Sequence, residues 1–176
     1  MKLPIIQTKD FLLRPYKKED VKSLAKNINN KKIYKNTFRI PYPYSSKDAK
    51  KWIGENLKGL KEKSPSMINF VIDINDEVAG SIGFDNLESH KAEVGYWLAE
   101  KYWGKGIMTQ AVKLATKFGF QGLGLSRIYA FAFLFNKASQ RVLEKTGFKK
   151  EGILKNNIIK DGKIMDDYLY AKIKKE

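Results

Sequence analysis

The sequence predicts a single domain of the α/β or α+β class that spans residues 1–176. The length suits one domain, because domains commonly hold about 100 to 200 residues. Hydrophobic residues make up 43% of the chain, which is enough to fill one core. Short segments with the two-residue alternation of strands are interspersed with segments whose apolar residues recur at helical spacing. No repeat, low-complexity segment or linker divides the chain.

The pattern predicts seven strands and four helices. The predicted strands cover residues 5–16, 67–74, 78–84, 92–98, 127–135, 149–160 and 163–174. The predicted helices run from about residue 18 to 30, from 45 to 63, from 107 to 118 and from 136 to 147.

In the first half of the chain, residues that favour turns and caps mark the element boundaries. Arg14-Pro15 closes the first strand, and the Asn29-Asn30 pair ends the first helix. Residues 33–44 combine aromatic residues with two prolines and show no clear period, so we predict a loop there. Ser45 caps the second helix, and Ser64-Pro65 stops it.

In the second half, turn signals separate the remaining elements. Asn75-Asp76 joins two strands into a hairpin, and Asp161-Gly162 joins the last two strands in the same way. The helix after the central strand is predicted to end in the glycine-rich residues 119–124. Asn136 caps the last helix, and Gly147 ends it.

Composition excludes several kinds of chemistry. There is no cysteine, which excludes disulfides, thiolate zinc sites and cysteine nucleophiles. There is only one histidine, His90, so a histidine metal cluster is excluded and we expect no metal. His90 lies in a polar stretch that is predicted to be a turn. No window approaches the roughly 18 apolar residues of a membrane helix, and no signal peptide is evident. We therefore expect a cytoplasmic protein that does not associate with membranes.

Residues 92–118 contain a strand, a glycine loop and an amphipathic helix, and this segment is the candidate ligand site. Between strand and helix lies Trp103-Gly104-Lys105-Gly106. Glycines allow the backbone to turn sharply and to approach a ligand closely. The helix that begins at about Ile107 offers unpaired N–H groups and the positive end of its dipole. This arrangement is typical of a phosphate-binding loop, and the alternative is a tight turn that binds nothing.

Three segments resemble the GCN5-related N-acetyltransferases. Lys101-Tyr-Trp-Gly-Lys-Gly106 is similar to the pyrophosphate loop of that family, Gln/Arg-x-x-Gly-x-Gly/Ala, with lysine at the first position. The run from Glu93 to Val112 resembles the RimJ/RimL branch, which acetylates N-terminal amines of ribosomal proteins and other amines. The run from Asn136 to Phe148 is similar to the family's Asn-x-x-Ala/Ser-x-x-Val/Leu-x-x-x-Gly-Phe helix.

The resemblance implies a fold and a cosubstrate. The implied fold is a mixed, mostly antiparallel sheet of seven strands flanked by about four helices, with two strands splayed apart at the acetyl-CoA site. Backbone N–H groups of the loop and helix start would hold the pyrophosphate, while the end of the central strand and Asn136 would bond the pantetheine arm. The cofactor-binding residues implied in this way are Trp97, Leu98, Trp103, Gly104, Lys105, Gly106, Ile107, Met108, Thr109 and Asn136.

Direct attack of an amine on a thioester needs a proton acceptor and a stabilised leaving thiolate. Leu143 occupies the position of the tyrosine that many relatives use, and the resemblance implies that Ser139 donates a hydrogen bond to the sulfur. A serine bonded to its own helix is the alternative. Glu93 is the candidate base and shares a strand face with Gly95 and Trp97. The competing acidic residues, which we expect to be surface charges, are Asp85, Glu88, Asp166 and Asp167.

The net charge of +15 is unevenly distributed. Residues 1–65 carry 17 Lys and Arg against 6 Asp and Glu, and residues 101–176 carry 16 against 6. Residues 66–100 carry 1 basic residue against 7 acidic ones. The basic flanks favour a polyanion such as a nucleic acid, a ribosome or the phosphates of coenzyme A, whereas the acidic centre favours a cationic amine. Most individual lysines are accounted for by solvated surface.

The predicted function is therefore transfer of an acetyl group from acetyl-CoA to a primary amine. A peptide or protein N-terminus, such as that of a ribosomal protein, is favoured over a small metabolite. One alternative is a non-catalytic acyl-CoA sensor, and another is a basic protein that binds ribosomes or nucleic acid. The basic residues are dispersed and no RNA-binding signature is present, so we expect no direct nucleic-acid binding.

Overall fold

The computed structural model describes residues 3–175. Its strands are β1 (Ile6–Gln7), β2 (Leu12–Arg14), β3 (Ile68–Ile74), β4 (Glu77–Asp85), β5 (Lys91–Leu98), β6 (Arg127–Phe133), β7 (Lys149–Lys160) and β8 (Lys163–Ile173). Its α-helices are α1 (Val21–Ile28), α2 (Lys31–Asn36), α3 (Ser46–Gly59), α4 (Ile107–Gln121) and α5 (Lys137–Lys145). Short 3₁₀ turns precede α1 at Lys18–Asp20 and precede the glycine loop at Glu100–Tyr102.

The strand predicted over residues 5–16 is two antiparallel strands, so the sheet has eight strands among the described residues rather than seven. Thr8 turns the chain between β1 and β2: its hydroxyl donates to the Phe11 carbonyl oxygen at 2.8 Å and accepts from the Phe11 N–H at 3.0 Å. A serine or threonine hydroxyl that bonds nearby backbone groups competes with a continuous strand. The sequence carries a signal for this turn, because residues 7–10 are all polar, but they include neither glycine nor proline.

The loop predicted over residues 33–44 begins inside a helix. Asn30 was predicted to mark only the end of the first helix, but its side chain also accepts from the N–H groups of Lys32 and Ile33 and so caps α2. Only Ile33 of α2 is buried, and one buried residue gives no helical period to detect. The structure therefore has five α-helices in residues 3–175, where about four were expected.

Strong local signals gave the expected elements elsewhere. Ser45 and Asp48 form a reciprocal capping box at the start of α3. The predicted hairpins are present, and Asp161 and Gly162 both take positive φ at the tip between β7 and β8. Helix α4 ends at Gln121 with Gly122 as its C-cap, within the glycine-rich residues 119–124 that were predicted to end it. Gly119 lies inside the helix against Ile128 and Phe84, where a Cβ would approach within 2.8 and 2.9 Å. That glycine serves close packing and does not end the helix.

The sheet is mixed and mostly antiparallel, as expected, with the order β1-β2-β3-β4-β5-β6-β8-β7. The single parallel pair, β5 with β6, is held by three residue pairs from Lys91↔Arg127 to Glu93↔Tyr129. Strand β5 then continues to Leu98 and β6 to Phe133 without pairing with each other, so the two strands splay apart. The predicted splay is confirmed, and it leaves backbone polar groups available to an extended ligand.

Each face of the sheet carries its own core. One face packs on α4 and α5 through residues such as Phe84, Ala111 and Leu143. The other packs on α1, α2 and α3 through residues such as Leu24, Ile53 and Trp97. Within residues 3–175, no helix is both long and apolar enough to cross a bilayer.

Candidate active site

A cavity of about 260 Å³ lies beside the gap between β5 and β6. Its walls come from β5 and β6, from the residues that follow α2 and from the first turn of α5. The polar lining residues used below are Arg39, Asn69, Asp85, Glu93, Tyr96, Asn136 and Ser139.

Glu93 is a buried carboxylate in this cavity, with 6% of its surface exposed. It lines the cavity together with the four residues that follow it on β5, from both faces of the strand. Its Oε2 accepts a hydrogen bond from Asn86 Nδ2 at 2.9 Å and from Arg39 Nη2 at 3.2 Å. A buried carboxylate held by two donors is fixed in position and remains able to attract a cation.

Arg39 bridges two carboxylates at the edge of the cavity. Its Nη1 lies 3.1 Å from Asp85 Oδ2, and its Nη2 lies 3.2 Å from Glu93 Oε2. Asp85 and Glu93 are cross-strand partners on β4 and β5, so their side chains lie next to each other on one face. Burial, opposed in part by Arg39, raises the pKa of Asp85. The residue that organises this pair comes from the stretch that was predicted to be a loop.

Asp167 adds a further negative charge behind the cavity. It was expected at the surface, but its exposure is 0%, and it lies opposite Phe133 on the neighbouring strand β6. Asn157 Nδ2 donates to both of its oxygens, at 3.1 and 3.3 Å. Burial raises the pKa of Asp167, and repulsion from Asp166 and Glu93 acts in the same direction. Of the acidic residues in 66–100, Asp85 and Glu93 line the cavity, and Asp167 from the last hairpin adds its charge nearby.

Ser139 meets a tyrosine that the sequence analysis did not identify. The hydroxyl oxygens of Ser139 and Tyr96 lie 2.9 Å apart, within hydrogen-bond distance, and the Tyr96 hydroxyl oxygen lies 3.4 Å from the Ser139 carbonyl oxygen. Tyr96 is on β5 and Ser139 in the first turn of α5, so the pair spans the splayed gap. Burial raises the pKa of Tyr96, which keeps the phenol protonated and able to donate.

The amide of Asn69 completes the cavity wall from β3. Asn69, Gly83 and Gly95 are cross-strand partners in one row, and neither glycine covers the space above the sheet. Asn69 lines this cavity, and its Nδ2 is buried without a hydrogen-bond partner among the described residues. A buried donor without a partner costs about 1–3 kcal/mol, which an acceptor oxygen on a ligand would offset.

The glycine loop has the geometry of an anion site. Gly104 and Gly106 take φ of 75° and 77°, and no atom lies within 4 Å of a Cβ built on either. Gly106 precedes α4, and no side chain caps the helix start, so the first N–H groups face outward without a side-chain acceptor. These features fit a pyrophosphate held by backbone amides. Lys101, at the first motif position, instead pairs with Glu77 at 3.0 Å.

The other predicted cofactor residues fall into two groups. Ile107 and Met108 bury their side chains in the core, so they offer a ligand only their backbone N–H groups, whereas Lys105 is exposed and Thr109 half-buried. Trp103 donates its indole N–H to the Leu98 carbonyl oxygen at 2.7 Å and so fixes the loop against the end of β5.

Asn136 uses both ends of its side chain within the protein. Its Oδ1 accepts from the Ser139 N–H at 3.1 Å, and its Nδ2 donates to the Asn36 carbonyl oxygen at 3.2 Å. It therefore caps α5 as predicted and also ties α5 to α2. A contact from Asn136 to the pantetheine arm stays a prediction.

Sequence reasoning missed Arg39, Tyr96 and Asn69. Only Asn69 carried a detectable signal, because it is a polar residue inside the otherwise apolar start of β3. Within residues 3–175, no three His, Cys, Asp or Glu side chains are grouped so as to hold a metal ion.

Comparison with known proteins agrees with this geometry. The acetyltransferase (GNAT) domain family matches residues 10–149. The uncharacterized N-acetyltransferase YoaA of Bacillus subtilis is 30% identical over 175 residues, which cover 97% of each chain. The spermidine N(1)-acetyltransferase of Escherichia coli K12 is 26% identical over 152 residues, which cover 85% of this chain and 78% of that one.

A solved structure of RimL, a ribosomal L7/L12 α-N-protein acetyltransferase in complex with coenzyme A, has a similar fold. It is 27% identical, with a TM-score of 0.85, and the match covers 97% of this chain and 98% of that one.

Proposed function

This chain belongs to the GNAT acetyltransferase family, and we propose that the primary amine it acetylates is the N-terminal amine of a peptide or protein. It is an N-acetyltransferase with RimJ/RimL-like relatives, and acetyl-CoA is its cosubstrate. The choice of a peptide as acceptor is the proposed step.

One observation carries the choice of acceptor: Glu93 and Asn69 line the same cavity, and the buried amide nitrogen of Asn69 has no hydrogen-bond partner among the described residues. Glu93 offers an acceptor for an ammonium group, and Asn69 Nδ2 is a buried donor without a protein partner. A peptide N-terminus brings both complementary groups, an amine and a nearby carbonyl oxygen. A polyamine brings cations but no oxygen, so it would leave the Asn69 amide unsatisfied.

The residues of the cavity divide the chemistry between its two sides. Glu93 would accept a proton from the ammonium, directly or through a water, so that the neutral amine can attack. Tyr96 would donate to the Ser139 hydroxyl, which frees the serine proton for a hydrogen bond to the departing sulfur. The N-terminal amides of α4, together with Gly104 and Gly106, would hold the pyrophosphate.

A polyamine is the second candidate acceptor. The carboxylates of Asp85, Glu93 and Asp167 favour a polycation, and a spermidine acetyltransferase is among the relatives. Arg39 already offsets part of this negative charge, which favours an acceptor with a single ammonium group.

Release of free coenzyme A from acetyl-CoA would test the proposal. Short peptide amides, spermidine and simple alkylamines that lack the carbonyl would be compared as acceptors at equal concentration. We expect peptide amides to have the highest kcat/KM. The change Asn69→Leu should raise KM about tenfold for peptides and leave the KM of alkylamines unaffected. Loss of one hydrogen bond to the peptide carbonyl costs about 1.4 kcal/mol, which corresponds to a factor of ten in KM.

A preference for spermidine, or an equal effect of Asn69→Leu on all amines, would contradict the peptide proposal. The cofactor site would be tested separately with Gly104→Asp, which places a carboxylate beside the proposed pyrophosphate site. Coenzyme A affinity should be lost in this variant, and retained affinity would count against the loop assignment.

A further inference from the structure

A second cavity, of about 330 Å³, lies between α2 and the tip of the β7–β8 hairpin. Four of its lining residues are lysines, and we call it the lysine pocket. The residues that line it are Lys31, Tyr34, Lys35, Phe135, Lys160, Asp161, Lys163 and Met165.

The positive charge of the lysine pocket is largely uncompensated. Among the described residues, none of its four lysines forms an ion pair within 4.0 Å, whereas their neighbour Lys32 is paired with Glu100. Asp161 is the single acidic residue in the lining, and it accepts a hydrogen bond from the Tyr34 hydroxyl. The pocket therefore presents a concentrated positive field to an incoming ligand.

Lys160 is held in place at the base of this pocket. Its ammonium group donates to the Thr37 carbonyl oxygen at 2.8 Å and lies 3.9 Å from the centre of the Tyr34 ring. Partial burial lowers the pKa of Lys160, which shows that the surroundings do not fully offset the loss of water. An anionic ligand would supply the missing stabilisation.

The lysine pocket adjoins the candidate active site. Helix α2 lines both, through Asn36 in the first cavity and through Tyr34 and Lys35 in the second. Phe133 lines the first cavity and Phe135 the second, and their rings are stacked with centroids 4.8 Å apart. A chain whose first residue sits in the cavity could therefore pass along these aromatic rings to the lysines.

We propose that the lysine pocket binds acidic residues that follow the N-terminus of the acceptor peptide. This inference rests on the proposed function and adds a sequence preference to it, for Asp or Glu shortly after the acetylated residue. A peptide is favoured over a nucleic acid because the pocket adjoins a cavity with carboxylates, which would repel phosphates but attract an N-terminal ammonium.

The test compares peptides that share their first two residues and continue with glutamate, glutamine or lysine. Binding would be followed by fluorescence anisotropy of labelled peptides, and turnover by release of coenzyme A. We expect the glutamate peptide to have a KM about tenfold below that of the glutamine peptide at low salt, with the difference shrinking as salt is added.

The variant Lys31→Gln/Lys35→Gln/Lys163→Gln should abolish the preference for glutamate while leaving the glutamine peptide unaffected. Lys160 is retained because it supports the Thr37 backbone. A matched control, Lys50→Gln/Lys51→Gln/Lys58→Gln, removes the same charge from the exposed side of α3 and should retain the preference. Changing Lys31, Lys35 and Lys163 to glutamate should reverse it in favour of the lysine peptide.

Equal KM values for the glutamate and glutamine peptides in the unchanged protein would overturn the inference, as would an equal effect of both lysine triples. Tight binding of a single-stranded RNA that depends on the same lysines, without any peptide preference, would identify a nucleic-acid site instead. If no peptide were acetylated at all, the proposed function would fail first, whereas acetylation of all three peptides alike would refute only the lysine pocket.

Discussion

The hydroxyl oxygens of Tyr96 and Ser139 lie 2.9 Å apart and join β5 to the first turn of α5 across the gap where β5 and β6 part. A hydroxyl held by a second hydroxyl is oriented before any substrate arrives. In the proposed mechanism the serine donates to the departing sulfur, and the tyrosine acts through the serine.

Removal of the Ser139 hydroxyl or of the Tyr96 hydroxyl should lower turnover by weakening the same hydrogen bond to the departing sulfur. We expect Ser139→Ala to reduce kcat about tenfold to hundredfold and Tyr96→Phe to reduce it less. The double variant should be no slower than Ser139→Ala alone, because the tyrosine acts through the serine. Steady-state kinetics and coenzyme A affinity would be measured together, with Ser126→Ala as a remote hydroxyl control.

An additive double variant would mean that the two hydroxyls act independently. Unchanged turnover in Ser139→Ala would reduce the serine to a structural role in α5.

Loss of the Glu93 carboxylate should change both the rate and its pH dependence. We expect Glu93→Gln to lower kcat/KM about hundredfold near neutral pH, because a positioned base is removed. The rate of this variant should keep rising up to the pKa of the acceptor's α-amine, about 8, because the enzyme then depends on amine that is already neutral. A pH profile of kcat/KM would show this, and the exposed Glu88→Gln would serve as the control. A profile parallel to that of the unchanged protein would argue against Glu93 as the base.

Two neighbouring aspartates on β8 should affect stability with opposite dependence on pH. Burial raises the pKa of Asp167, so the folded state holds its proton to higher pH than the unfolded chain does. Its contribution to the free energy of unfolding therefore falls as pH rises above about 3.8, the usual value for aspartate. Asp167→Asn should be more stabilising, relative to the unchanged protein, at pH 7 than at pH 4.

Asp166→Asn supplies the matched comparison. Hydrogen bonds from Lys155 and from the Asn156 N–H lower the pKa of Asp166, so its contribution is present at neutral pH and is lost as pH falls through the lowered value. This variant should lose stability at pH 7 and approach the unchanged protein in acid. Urea unfolding across pH would measure both, and differences that do not vary with pH would contradict the assignment.

Two glycine-to-alanine changes should differ in sign. A Cβ at Gly83 would lie 1.9 Å from Asn69 Oδ1 and 2.5 Å from the Ile68 carbonyl oxygen, and that backbone atom cannot move aside cheaply. We expect Gly83→Ala to lower the free energy of unfolding by about 1–3 kcal/mol. Gly54, in the exposed part of α3, has no atom within 4 Å, so Gly54→Ala should raise it by about 0.5–1 kcal/mol. Chemical unfolding would compare them, and equal changes would show that crowding at Gly83 has been overestimated.

The sequence predicted most of the fold because most elements carry local signals. Ser45 with Asp48 marks the start of α3, and Asp161-Gly162 marks the last hairpin, through interactions that span only a few residues. The errors occurred where the local signal was weak or misleading. The turn at residues 7–10 is polar but contains neither glycine nor proline, and α2 buries only Ile33.

The parts of the candidate site that follow from spacing along the chain were also predictable. The glycine loop precedes α4, Glu93 lies on the face of β5 that Gly95 and Trp97 share, and Ser139 lies in the first turn of α5. Each of these positions depends on the geometry of one strand or one helix.

The partners of these residues depend on how distant segments are brought together. Arg39 reaches Glu93 from 54 positions away, and Ser139 meets Tyr96 across 43. Asn69 faces the cavity because the register of β3, β4 and β5 aligns it with two glycines. Periodicity assigns a side chain to a face, whereas strand order, register and the splay of β5 from β6 determine which side chain stands opposite, because these depend on packing of the whole sheet.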